Sequence, residues 1–132
     1  MSKTGETFFT SVGCIDGRVQ SPLRIFGNKK FGAEYPDTIT EAGLAGIFVK
    51  PISKGFLADL KKKLDISINL HRSKGILVHG HQECAGHPVS DIQHKKDILK
   101  AARIIHNLVS KKVKVLPVFV KRSHLGWVVE EL

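Results

Sequence analysis

Apolar and polar positions alternate between two periods along the chain. Phe8-Phe9-Thr10-Ser11-Val12-Gly13 is rich in β-forming residues and predicts a strand that stops at Cys14. A helical piece is expected after Pro22, with Leu23, Ile25 and Phe26 on its apolar side. Thr38-Ile39-Thr40 predicts a second strand. Through residues 53–71, Phe56, Leu57, Leu60, Leu64, Ile68 and Leu70 recur at helical spacing, with Lys61, Lys62 and Lys63 outside. Ile76-Leu77-Val78-His79 predicts a third strand that runs directly towards His81. Ser90 and Gln93 form a capping-box pattern. The helix they open carries Ile98, Leu99, Ala102, Ile105, Leu108 and Val109 on one stripe. Val113–Val120 predicts a fourth strand, and Pro117 inside it argues for an edge position. Crossover helices between strands predict an α/β fold with a small, mainly parallel sheet. At 132 residues the chain is long enough for one core, so one domain over residues 1–132 is expected.

The chemistry sits at the ends of the first and third strands. The chain has two cysteines, and each lies in a short motif. Cys14-Ile15-Asp16-Gly17-Arg18 reads C-x-D-x-R, and His81-Gln82-Glu83-Cys84 reads H-x-x-C. Two thiolates and one imidazole make a zinc set of the Cys₂His type, one ion per chain. The fourth position then goes to water, which leaves zinc a Lewis acid, or to a carboxylate such as Asp16. Two inert core thiols are the alternative. That alternative does not account for Gly80 and Gly86 flanking the second motif, nor for the Asp and Arg that follow Cys14.

Asp16 has two possible jobs. As a ligand it closes the site. Off the metal it accepts a hydrogen bond from the nucleophile, and Arg18 chooses between these states by pairing with it. In an extended chain, Asp16 and Arg18 share one side. His79, two residues before His81 on the same strand face, reads as a satisfied core histidine or as a neighbour of the metal, and His87 as a surface loop histidine or a proton carrier at the rim.

The two motifs, with Val19-Gln20 after the first and Ala85-Gly86 after the second, resemble the β-class carbonic anhydrases. The resemblance is closest to short prokaryotic relatives that read C-I-D-G-R-V-Q, and it runs from about Phe8 to about Val120. It implies a three-layer α/β/α fold with about four strands in the order 2-1-3-4. It implies zinc held by Cys14, His81 and Cys84, with Asp16 and Arg18 as the catalytic dyad. It implies dimers or larger assemblies, and hydration of carbon dioxide to bicarbonate by zinc-bound hydroxide. Larger relatives carry a helical arm before the first motif that supplies a glutamine to the pocket; here thirteen residues precede Cys14, and Gln20 is the candidate substitute. After the second strand those relatives read R-N-A-G-N, where this chain has Thr40-Glu41-Ala42-Gly43-Leu44. Two other functions therefore stay open: a non-catalytic zinc-stabilised binding module, and a hydrolase of carbonyl sulfide or carbon disulfide.

Composition narrows the setting. Free thiols, no run long enough for a membrane span and no signal-peptide pattern predict a cytoplasmic protein without a membrane partner. The formal net charge is +9. The lysines fall in scattered pairs and triplets without interleaved aromatics, so they read as solvated surface rather than a nucleic-acid face. A positive field would still draw in bicarbonate. The apolar segment Leu125-Gly126-Trp127-Val128-Val129 is expected to pack on a partner copy or a sheet edge, in keeping with a homodimer.

Overall fold

The computed structural model describes residues 5–132. Its elements in chain order are β1 (Phe8–Gly13), α1 (Gly17–Phe31), β2 (Tyr35–Thr40), α2 (Leu44–Ile47), α3 (Lys54–Asp65), a π-helical turn (Ile66–Leu70), β3 (Ile76–His81), α4 (Asp91–Leu108), β4 (Val115–Ser123) and β5 (Gly126–Glu131). The strands form one sheet in the order β2-β1-β3-β4-β5. The first four are parallel, and β5 runs antiparallel to β4.

Strand alternation divides the core into two layers. Val12, Ile76, Val78 and Phe119 face α2, α3 and α4, where Leu44, Leu60, Leu64, Ile98, Ala101 and Ile105 meet them. Phe9, Leu77, Val118 and Val120 face α1 and pack on Val19 and Leu23. Half of the capping box at α4 is seen: the Ser90 hydroxyl accepts from the Gln93 N–H at 3.2 Å, while the Gln93 amide donates forward to Asp97 at 2.8 Å. On the α4 stripe, Ile98, Ala102 and Ile105 are buried, while Leu99 stays over a third exposed.

Three expectations need correction. The first helix begins at Gly17, five residues before Pro22. Asp16 caps it by accepting from the Arg18 N–H at 2.9 Å. Pro22 then lies just over one turn inside the helix, where it forgoes the bond that its missing N–H would have made to the Arg18 carbonyl and crowds that carbonyl with its ring. Asp16 and Arg18 are therefore neighbours through cap geometry, not through extended-chain alternation.

Second, the sheet has five strands. The segment expected to cover an edge does so as β5, with Val129 opposite Val120 and Trp127 opposite Arg122. Third, β4 is not an edge strand. Pro117 is tolerated there because it lies just past the last β4–β5 pair, Val118–Glu131, while its carbonyl accepts from the Leu132 N–H. The N and C=O of an extended residue point to the same side, so its missing N–H falls beyond the ladder with β5.

Candidate metal centre

β1 and β3 lie side by side, and the helices that follow them leave on opposite faces of the sheet. The crevice at their carboxyl ends is where open α/β sheets gather ligands. Cys14 is the first residue past β1, and His81 is the last residue of β3. The loop after His81 turns back through Glu83, a non-glycine residue at φ 58°, and delivers Cys84 to the same point. Two glycines let the loops close. A Cβ on Gly43 would strike the Gly86 backbone, and one on Gly86 would come within 2.7 Å of the Ala42 carbonyl carbon. Gly43 also donates its N–H to the Cys14 sulfur at 3.3 Å.

The ligand atoms of Cys14, His81 and Cys84 are all buried and lie within 4.8 Å of one another. The two sulfurs are 3.8 Å apart. A tetrahedral zinc with bonds of ~2.3 Å to each sulfur would set them about 3.8 Å apart. His81 Nδ1 donates to the Gln82 carbonyl at 2.7 Å, which fixes the tautomer and leaves Nε2 as the lone-pair nitrogen. That buried Nε2 has no hydrogen-bond partner. A buried acceptor left without a partner is costly. Two thiol groups and one imidazole nitrogen thus converge with a free lone pair among them, and they fit a tetrahedral metal ion with one position left over.

The electrostatics prepare the same set. Burial opposes charge on Cys14. A proton taken up on His81 Nε2 in the metal-free site, the N–H groups of Gly43 and Asp16 and the Cys84 thiol outweigh it and bring the Cys14 pKa from 9.0 to about 7. Burial and the adjacent Cys14 charge push Cys84 the other way, upward. One thiolate thus forms readily, and the second needs a cation beside it.

Asp16 and Arg18 stand over this group. Arg18 holds the Asp16 carboxylate from Nε at 3.1 and 3.2 Å and from Nη2 at 2.8 Å. Asp16 Oδ2 remains 3.8 Å from His81 Nε2. The Arg18 hydrogen bonds hold the Asp16 carboxyl well below its ordinary range, at about 2.

The family described as "Putative carbonic anhydrase" matches residues 4–132. The chain belongs to this family. No curated protein and no solved structure matches it. Among the described residues, no helix is long and apolar enough to cross a membrane.

In this carbonic anhydrase-like chain the remaining polar residues are placed as follows. Gln20 spends its amide hydrogens on the carbonyls of Cys14 and Asp16, at 2.9 and 2.8 Å, so it ties the motif loop to α1 instead of offering its amide N–H groups to a ligand. His79 is fully buried on the same strand face as His81, but neither of its ring nitrogens has a partner, so it is not a satisfied core histidine. Burial drives its pKa down to about 3. His87 lies in the loop between β3 and α4 as expected, but its side chain is mostly buried, and its Nε2 pairs with Asp97 at 2.6 Å.

Three further residues border the site: Glu83 and Arg122, to which the sequence pattern assigns no role, and Trp127, expected only as part of an apolar packing segment. Glu83 bonds Arg122 at 2.6 and 3.1 Å and Arg18 at 3.1 Å. The Trp127 ring lies edge-on to His81, with centroids 6.4 Å apart. The only available signals were a carboxylate inside H-x-x-C and a tryptophan in an apolar tail.

Proposed function

We propose that the protein is a zinc-dependent lyase that reversibly hydrates carbon dioxide to bicarbonate, with one zinc per chain. The observation that carries this reading is the Asp16 carboxylate, 3.8 Å from His81 Nε2 and held by Arg18 instead of completing the Cys14–His81–Cys84 set. Zinc bound there supplies a Lewis acid that brings the pKa of a coordinated water towards neutrality. Cys14 and Cys84 hold it as thiolates, and His81 holds it through Nε2 while Nδ1 stays on the Gln82 carbonyl. Asp16 is ionised at every working pH, so its carboxylate only accepts hydrogen bonds. It orients the attacking water by taking one of its protons in a hydrogen bond, and Arg18 keeps it available for that task. Beyond the site, the net positive charge favours approach of bicarbonate in the reverse direction.

The reading includes a cytoplasmic setting, where the ligand thiols stay reduced. It also includes a homodimer at least. An apolar groove of about 380 Å³ lies between α1 and β5, lined by Pro22, Ile25, Phe26, Trp127 and Val129, and a second copy would cover it. Light scattering at micromolar concentration that finds only a 14.6 kDa particle would remove that part.

Stopped-flow hydration by zinc-loaded protein at pH 8.5 tests the activity. Rates above the zinc-free control are expected. Equal rates would leave zinc as a structural ion only.

A further inference from the structure

Arg18 has a demanding position for an exposed side chain. Its side chain is 41% exposed, yet it must keep a carboxylate away from a dication. An exposed ion pair alone contributes little, and a free arginine has many rotamers to lose. The Arg18–Asp16 pair by itself is therefore a weak restraint.

The structure adds three restraints. Glu83 accepts from Arg18 Nη1 at 3.1 Å through Oε1, and its carbonyl accepts from Nη2 at 3.3 Å. The same Oε1 accepts from Arg122 Nη2 at 3.1 Å, while Oε2 takes Arg122 Nε at 2.6 Å. Both guanidinium groups lie over the Trp127 ring, with Cζ 4.9 Å from its centroid for Arg18 and 4.5 Å for Arg122. Glu83 reaches this place from a backbone at φ 58°, which a non-glycine residue adopts at a cost. The Gln82 side chain secures the partner strand by accepting from the Arg122 N–H at 2.9 Å. The ring, the second arginine and the carboxylate come from β5, β4 and the metal loop, so the brace exists only in the folded sheet.

We propose that Glu83, Arg122 and Trp127 are positioning residues that hold Arg18 in the pose that keeps Asp16 off the metal. Their role presupposes the zinc-lyase reading above. Hydrogen bonds and ring stacking fix the guanidinium from the side away from Asp16, and its remaining donors then have one place to go. Without the brace Arg18 swings into solvent, and Asp16, already beside His81 Nε2, is free to take the fourth position.

Protein loaded with Co(II) in place of zinc tests this, because the visible ligand-field bands change when a carboxylate replaces water. Arg18→Ala and Asp16→Asn provide the two reference spectra. Glu83→Gln and Trp127→Leu should shift away from the wild-type spectrum towards that of Arg18→Ala. Adding Asp16→Asn to either should return the spectrum to that of Asp16→Asn alone. Trp127→Phe keeps an aromatic face for the two cations and should retain the wild-type bands. Should Trp127→Leu fail to fold, Glu83→Gln and Arg122→Ala, both at the surface, decide the matter. Wild-type bands in Glu83→Gln, Arg122→Ala and Trp127→Leu, with altered bands in Arg18→Ala, would overturn the brace and leave the lyase reading standing. Failure to take up Co(II), or an Arg18→Ala spectrum identical to wild type, would overturn both.

Discussion

Cys14, His81 and Cys84 are buried at the carboxyl ends of two central strands, whereas Arg18 and Glu83 face solvent at the rim of the same crevice. The buried side is fixed by backbone. Strand register, the Gly43–Gly86 contact and one hydrogen bond from His81 leave those ligand atoms little freedom. The rim is fixed by side chains reaching across four elements; the β4–β5 ladder pairs Arg122 with Trp127, but only side-chain contacts tie them to Arg18 and Glu83. Metal binding and fold stability should therefore depend on the first side, and reactivity on the second. Each expectation below breaks one side while watching the other.

The largest effect should come from the buried side. Stripping the metal with a chelator leaves His81 Nε2 and two close sulfurs without their ion. Tight binding to the folded state alone is worth several kcal/mol, so the melting temperature should fall by about 10 °C or more. Cys84→Ser should lose the metal and melt like the chelated protein. Identical melting with and without chelator, beside full metal content in Cys84→Ser, would show that this cluster holds no ion.

At the rim, Arg18→Ala should keep the metal and the melting temperature but lose hydration. Removing one positioned polar group from a preorganised site typically costs ~10² to 10³ in rate. Stopped-flow rates within a factor of two of wild type would separate Arg18 from the chemistry.

The same contrast explains what was legible in the sequence. Strand runs ending at Cys14 and His81, and helices between them, were readable because burial imposes period and spacing. The parallel order β2-β1-β3-β4 follows from those crossovers and the family resemblance. The Cys14–His81–Cys84 cluster was legible for a related reason: Cys14 and His81 sit at adjacent strand ends, and Cys84 follows His81 by three residues. The rim was not readable. Arg122 and Trp127 lie far along the chain from Asp16, and an arginine in a polar strand end carries no period that marks it. The start of α1 was misplaced because Pro22 is a strong local signal, whereas Asp16 as a cap shows itself only through one hydrogen bond. β5 shows in the sequence only as apolar cover, since Gly126-Trp127-Val128-Val129-Glu130-Glu131 places its apolar residues in one run instead of alternating them.

A smaller effect should appear on acidification, again from the buried side. His94 packs beneath His81 and lies 3% exposed. Burial first, then the nearby His87 and His81, lower its pKa from 6.5 to about 4. The folded protein thus keeps His94 neutral where the unfolded chain protonates it. Between about pH 6.5 and pH 4 the unfolded state binds more protons, so stability falls as pH falls through that window and gains no further slope from His94 below it. Its full share is on the order of 3 kcal/mol. Urea midpoints from pH 7 to pH 4 should therefore decline less steeply in His94→Leu than in wild type. Parallel curves would mean that His94 takes up its proton in the folded state as readily as in the unfolded one.

The smallest effect should be that of Glu83→Gln on global stability. Glu83 forms three of the rim's ion-pair hydrogen bonds through its side chain, and all of them face solvent. Exposed pairs lose to screening and rotamer entropy most of what they gain in attraction. Gln has nearly the same shape and the same difficulty at φ 58°, so the substitution removes the charge and leaves the backbone cost unchanged. The urea midpoint should therefore stay where it is in wild type, at low and at high salt, while the Co(II) spectrum of the same variant moves. A midpoint shift as large as that of a core truncation such as Leu64→Ala would mean that the rim holds the fold together. The division between a backbone-fixed ligand set and a side-chain-fixed reactive rim would then fail.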